Sequence, residues 1–252
     1  MTVGYDHLDV KALRARGIRI GYTPDVLTDT TAELVVALLL AASRRLIESH
    51  KCLLNGEVGR WNPNWMCGKD IKGSTVGFVG FGRIAQSVAK LLSSFSVKQF
   101  CYSTRNSSID EETVRSISVP CERLDLNAML QKSDFVIVLC ASNESTKLLV
   151  NKEFLSKMKS EAILINASRG DVLDQDALLE ALTNGTIRAA GLDVTTPEPL
   201  LKSHPLLHLP NCTVLPHIGS ASEETRANMA MLAVENLLAA LDDKPMPAEV
   251  LI

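Results

Sequence analysis

Aromatic residues make up only 4% of this 252-residue chain, and it has no C-x-x-C pair, internal repeat, low-complexity tract or long apolar run. Each absence removes a class of protein. The six cysteines (Cys52, Cys67, Cys101, Cys121, Cys140, Cys212) are scattered through a chain far larger than a disulfide-stapled domain, so they are expected to be reduced thiols of a cytoplasmic protein. The longest apolar run, 34–42, falls short of the roughly 20 residues that a membrane helix needs. No N-terminal run resembles a secretory signal, and the closing Val250-Leu251-Ile252 is no peroxisomal address. Charge is nearly balanced, 26 basic against 29 acidic residues, which leaves no electrostatic footprint for nucleic acid or an anionic membrane. No His, Cys, Asp or Glu cluster has metal-ligand spacing, and no serine sits in a nucleophile elbow, so metal-dependent and acyl-enzyme readings drop out. With 46% hydrophobic residues the chain can bury one large core or two small ones, and small-molecule chemistry is the class that remains.

What is present alternates. Short β-rich runs and amphipathic helical stretches follow one another, which argues for a parallel sheet. Strands are predicted over 75–79, 97–102, 135–139, 162–166, 189–192 and 212–215, and helices over 84–92, 124–131, 152–158 and 175–183. Thr30, followed three residues on by Glu33, is a capping-box signal for a helix running to about Arg45. A last helix over 223–241 precedes a Pro-containing tail, 244–252, read as a surface strap. The pattern is that of a doubly wound α/β fold, in which ligands bind outside the carboxyl ends of the strands. Functional residues are therefore sought just after strands.

Gly80-Phe81-Gly82-Arg83-Ile84-Ala85 follows the first of these strands and opens a helix. That context raises a weak G-x-G-x-x-G/A pattern to a dinucleotide-binding fingerprint of the Rossmann type, against the plainer reading of a Gly-rich turn. Gly80 permits the tight turn, Gly82 lets backbone N–H groups approach a pyrophosphate at the helix N-terminus, and Ala85 still allows close helix-to-strand packing. The stretch after the next strand reads Tyr102-Ser103-Thr104-Arg105-Asn106, with no acid before Asp110 to accept from a ribose 2′-OH. Hydroxyls and a guanidinium suit a 2′-phosphate, so Ser103, Arg105 and Asn106 point to NADPH, with NADH as the weaker cofactor. The competing reading of Arg105 is a solvated loop cation.

Three further segments follow strands: Ala167-Ser168-Arg169-Gly170-Asp171, then Pro197-Glu198-Pro199 beyond Asp193, and Pro216-His217-Ile218-Gly219-Ser220. Together they supply an acid, an orienting carboxylate and an anion clamp, the set that reduction of a 2-oxo acid needs. With these residues, and with Val3 to Leu8, Gly21 to Glu33, Val76-Gly77 and Ala190 to Val194, the chain resembles the D-isomer-specific 2-hydroxyacid dehydrogenases, among them reductases of glyoxylate and hydroxypyruvate. The similarity runs from residue 2 to the C-terminus. The resemblance implies that His217 is the general acid at the carbonyl oxygen and that Glu198, five residues after Asp193, holds its imidazole and raises its pKa. Arg169 would bind the substrate carboxylate in a bidentate way that lysine cannot copy. Val3 and Gly4 would grip the same carboxylate, and Ile218, Gly219 and Ser220 would join His217 about the substrate. Asp193, Ala167, Ala141 and Gly219, with Arg83 and Ile84 of the fingerprint, would line the cofactor. His7, His50, His204 and His208 lack the Pro-His-Ile-Gly context and are read as structural. Taken singly, His217 could be a capping histidine, Arg169 a surface ion pair and Glu198 a loop carboxylate.

Members of that family carry a further stretch before the Val3-Gly4 segment, on the order of half a domain. By this resemblance 1–27 is the remnant of a substrate-binding domain, 28–222 is the NAD(P)-binding domain, and 223–252 is a helix and tail returning to the incomplete second domain. Two classes of function follow. One is NADPH-dependent reduction of small 2-oxo acids, glyoxylate to glycolate and hydroxypyruvate to D-glycerate. The other is a non-catalytic, corepressor-like dinucleotide binder. A homodimer is implied, with 34–42 and the loop holding Trp61 and Trp65 as candidate contacts; intrachain core packing explains the apolar stripe at 34–42 equally well.

Overall fold

A computed structural model of the chain describes residues 2–105, 114 and 116–251. Asn106 and Asp110 lie outside them. The chain divides into two compact units, Ala32–Ile218 and Met1–Thr31 with Gly219–Ile252. Its helices are α1 (Val10–Ala15), α2 (Thr28–Ser43), α3 (Leu46–Leu54), α4 (Arg83–Ser93), α5 (Leu126–Lys132), α6 (Lys152–Lys157), α7 (Gln175–Thr183) and α8 (Glu223–Leu241).

The larger unit is built on β1 (Thr75–Val79), β2 (Gln99–Ser103), β3 (Cys121–Arg123), β4 (Phe135–Val138), β5 (Ile163–Asn166), β6 (Ala189–Leu192) and β7 (Cys212–Val214). All neighbours are parallel, in the order β3-β2-β1-β4-β5-β6-β7. Because successive side chains point to opposite faces, each strand feeds two cores. Phe78, Phe100, Ile137 and Ile165 pack with α2 and α4 residues such as Leu38, Leu39, Ala85 and Val88. Val79, Cys101, Val138 and Leu164 pack with Met129, Phe154 and Leu178 of α5, α6 and α7. Burial on both faces explains the continuous apolar runs of β4 and β5. Asp125, Asn151 and Asp174 start the helices on the second face by accepting from the backbone N–H groups of Ala128, Phe154 and Ala177.

Three sequence expectations change here. The helix expected from a capping box at Thr30 begins at Thr28 and ends at Ser43; the Thr30 hydroxyl pairs instead with that of Thr225 at 2.6 Å. Val35, Leu38, Leu39 and Ala42 are buried within the chain itself, and a Cβ on Gly191 would come 2.8 Å from Leu38. These four residues of the 34–42 stripe are therefore core, whereas Ala37, Trp61 and Trp65 are exposed. Lastly, α1, α3 and β3 lie outside the segments expected from the apolar periodicity.

The smaller unit has its own modest core of Val10, Ile20 and Val250, with Leu13 and Tyr22 against it. Gly21 and Glu249 form an antiparallel bridge. The buried Asn236 of α8 donates to the Tyr22 carbonyl at 2.9 Å and accepts from the Ala248 N–H at 2.8 Å. The C-terminal tail, expected as a surface strap, is thus pinned by backbone bonds and a buried side chain. Arg19 grips Glu249 with two bonds, of 3.1 and 2.8 Å, and holds that carboxyl below its ordinary value.

Candidate active site

The order of strands reverses at β1, with β2 on one side and β4 on the other, and the crevice there is where doubly wound sheets take ligands. Val79 is level with Ser103 of β2 and with Val138 of β4, so the loops after all three strands leave the same edge. Gly80 has φ +84°, and a Cβ there would lie 2.7 Å from Cys140 Cα; both the dihedral and the close approach demand glycine. Its N–H donates to the Ser103 carbonyl at 2.8 Å. Gly82 is the N-cap of α4 and provides no side-chain cap, and a Cβ there would meet nothing within 4 Å. The N-terminus of α4, with Arg83 and Ile84 in its first turn, is therefore unobstructed at Gly82, and helix N-termini of this kind are where backbone N–H groups receive anions. Ala85 is fully buried and brings α4 close against the sheet. Phe81 stacks on Tyr102 with centroids 4.4 Å apart, fastening the turn to β2.

Beside this cradle, Arg105 follows β2 and donates to the Ser145 hydroxyl and, at 3.2 Å, to the Ser145 carbonyl in the loop after β4. Ala141 lies in that same loop. Burial pushes the neighbouring Cys140 thiol up to about 11, with the Arg105 charge pulling the other way. That thiol is protonated near neutral pH and is no nucleophile.

The loops after β5, β6 and β7 carry the second group of residues, and those after β6 and β7 are tied together by bonds short in space and long in sequence. Asn166, fully buried at the end of β5, accepts from the Ser168 N–H and hydroxyl at 3.1 and 2.8 Å and donates to the Arg169 carbonyl at 3.1 Å. This closes the turn that presents Arg169, whose guanidinium also donates to the Ser168 carbonyl at 2.8 Å. A Cβ on Gly170 would lie 2.0 Å from the Thr195 carbonyl oxygen, so the Arg169 turn sits directly on the loop after β6. In that loop Glu198 accepts from the Thr195 N–H at 3.1 Å through one oxygen and meets His217 Nδ1 at 2.8 Å through the other. Asp193, 2% exposed, holds the opposite side: its carbonyl accepts from the His217 N–H and its carboxylate from the Ile218 N–H, both at 2.8 Å. These two bonds fix His217 in the left-handed region, φ 56°, which a non-glycine residue adopts only when its surroundings dictate it. The outcome is an imidazole oriented at Nδ1 by a carboxylate, with its backbone locked and 46% of its side chain exposed.

The structure thus gathers Arg169, Asp193, Glu198, His217 and Ile218 at the carboxyl edge, together with Ala167, and brings Gly80, Gly82, Arg83, Ile84, Ala85, Ser103, Arg105 and Ala141 to the strand reversal on the same edge. Val3, Gly4, Gly219 and Ser220 belong to the smaller unit. Two organisers were passed over in the sequence. An Asn at a strand end with Ser two residues on is the signature of an Asx turn, which would have flagged Asn166. Ser145 follows Asn143 at the same spacing and donates its N–H to Asn143 Oδ1 at 3.0 Å, but nothing local points to Arg105 as its partner. Among the described residues no group of three His, Cys, Asp or Glu could hold a metal ion, and no helix is long and apolar enough to cross a membrane.

A parallel sheet with a glycine-rich pyrophosphate turn and a carboxylate-oriented histidine on the same edge defines a nucleotide-dependent dehydrogenase, and residues 36–219 match the model of the D-isomer specific 2-hydroxyacid dehydrogenase NAD-binding domain. The chain belongs to that family and carries its nicotinamide dinucleotide-binding domain. Among its relatives, glyoxylate reductase/hydroxypyruvate reductase of Homo sapiens is 50% identical over 249 residues, 99% of this chain and 75% of the relative. Glyoxylate reductase of Thermofilum pendens is 44% identical, over 98% of this chain and 72% of the relative. The crystal structure of NADPH-dependent glyoxylate/hydroxypyruvate reductase from Sinorhizobium meliloti, in complex with NADP and malonate, superposes with a TM-score of 0.85 at 36% identity, covering 99% of this chain and 75% of that one.

Proposed function

We propose that the chain reduces small 2-oxo acids of the glyoxylate and hydroxypyruvate type with NADPH as preferred cofactor. The observation that carries the proposal is the His217–Glu198 pair at 2.8 Å, standing on the sheet edge that also carries the dinucleotide turn. Gly80, Gly82 and the first turn of α4 would hold the pyrophosphate, and Ser103 and Arg105 the adenosine 2′ end. When bound, the reduced nicotinamide supplies the hydride.

The protein's residues do the rest. Arg169 clamps the substrate carboxylate with its planar fork and draws charge from the adjacent carbonyl. His217, with Nδ1 engaged by Glu198, presents Nε2 and donates the proton that the carbonyl oxygen needs as it becomes a hydroxyl. Glu198 fixes ring orientation, and Asp193 fixes the backbone from which the ring projects. NADPH preference is supported by Arg105 after β2 in place of an acid, and by the cofactor named for the Sinorhizobium meliloti relative. A homodimer, with the loop holding the exposed Trp61 and Trp65 as a candidate contact, is part of the same reading.

The test follows absorbance of the reduced-nicotinamide band with the full chain, NADPH, and glyoxylate or hydroxypyruvate. Consumption faster with NADPH than with NADH is expected. A chain that binds NADPH but oxidises none with either acid is a binding protein, and the catalytic reading then fails.

A further inference from the structure

Arg105 is exposed, and an exposed arginine ordinarily loses rotamer freedom only when a ligand arrives, which weakens binding. Here the loop after β4 has already ordered it. Arg105 Nη1 donates to the Ser145 hydroxyl and Nη2 to the Ser145 carbonyl at 3.2 Å. The Ser145 hydroxyl donates to Asn143 Oδ1, and the Ser145 N–H donates to the same oxygen at 3.0 Å. The Asn143 N–H donates in turn to the Thr146 hydroxyl at 2.9 Å, and that buried hydroxyl donates to the Ala141 carbonyl at 2.8 Å. Farther along, the loop is moored to the Arg169 segment: Ser142 donates to the Asp171 carboxylate, and the Leu148 N–H to the Asp171 carbonyl, both at 2.8 Å. Arg105 is therefore gripped by a loop that is itself anchored at several points.

We infer that Ser145 is a positioning residue for cofactor selection, holding the Arg105 fork ready for the 2′-phosphate of NADPH. The inference rests on the reading of Arg105 as the group that recognises that phosphate. A guanidinium has five N–H donors, and Ser145 engages two of them, so a phosphate still meets a rigid fork of donors. NADH has no 2′-phosphate and draws nothing from the arrangement. Ser145 touches neither the reacting carbon nor the proton donor, so its effect falls on cofactor affinity and not on the chemical step.

Titration calorimetry with NADPH and with NADH, on the full chain and on Ser145→Ala, Ser145→Thr, Arg105→Ala and the double alanine variant, tests this. Ser145→Ala is expected to weaken NADPH about fivefold and leave NADH and the melting temperature unchanged. Ser145→Thr keeps the hydroxyl and restores NADPH affinity. Arg105→Ala is expected to cost about tenfold or more for NADPH, with no further loss when Ser145→Ala is added, because Ser145 acts only through the arginine. If Arg105→Ala weakens NADPH while Ser145→Ala binds it as well as or better than the unmodified chain, Arg105 reads the phosphate unaided and the inference is overturned. If Arg105→Ala leaves NADPH affinity unchanged, the reading of Arg105 itself fails, and the role of Ser145 goes with it. A Ser145→Ala chain that melts earlier and loses both cofactors alike shows a merely structural serine, which also overturns it.

Discussion

The two edges of the sheet treat charge differently. At the amino edge Asp134 accepts from the Thr75 N–H at 2.9 Å and from Lys159 and Lys69 at 3.1 and 3.4 Å. Burial alone would raise that carboxyl; the backbone donor and the two cations outweigh it and leave it below its ordinary value. At the carboxyl edge Glu198 and His217 form a pair with 39% and 46% of their side chains exposed, and the backbone bonds around them fix their direction. Surrounded charge ties strands together. Oriented charge left facing solvent is what a ligand can use, and it is on this edge, not the amino edge, that the proposed chemistry falls.

The sharpest break of this contrast is Arg169→Lys. It keeps the charge and removes the fork, and we expect kcat/KM for the 2-oxo acid to fall about a hundredfold with unfolding free energy unchanged within about 0.5 kcal/mol. Steady-state kinetics alongside chemical denaturation would show it. Asp134→Asn should do the reverse, costing about 1 kcal/mol of stability after allowance for solvent screening and leaving kcat alone. Because the folded-state pKa of Asp134 is lowered, its contribution is present above the ordinary carboxyl value and is lost as pH falls through the folded value. Denaturation midpoints measured down into the acid range should therefore converge for the two chains at low pH. The smallest effect is expected at Leu148, which sits half-exposed at φ 51°. Leu148→Gly should gain up to about 1 kcal/mol by relieving the left-handed backbone, read from the same denaturation curves.

Much of this was legible in the sequence because the physics is local. β1, β4, β5 and β6 lie between two helical layers and so read as continuous apolar runs. The turn at Gly80 and the segments of Arg169, Glu198 and His217 stand out because each follows a strand, while the roles expected of those three residues come from the family resemblance. What escaped depends on partners far along the chain. β3 is a three-residue edge strand, half-buried at Cys121 and exposed at Glu122 and Arg123, and shows no apolar run. The onset of α2 was misjudged because the Thr30 hydroxyl finds its partner 195 residues away. An apolar stripe states only that something covers it, so Leu38 and Leu39 could not be assigned to core or interface without the fold. Asp193 gripping the His217 turn, Gly170 seated on Thr195, and Ser145 holding Arg105 are all tertiary contacts with no trace in local spacing.

Whether the carboxyl edge carries proton transfer and not stability is decided by His217→Asn, with cofactor binding, melting and turnover measured on one preparation. NADPH affinity and melting temperature are expected to equal those of the unmodified chain, and oxidation of NADPH by glyoxylate and hydroxypyruvate to be at least about a hundredfold slower. Turnover that survives the substitution undiminished would contradict that expectation.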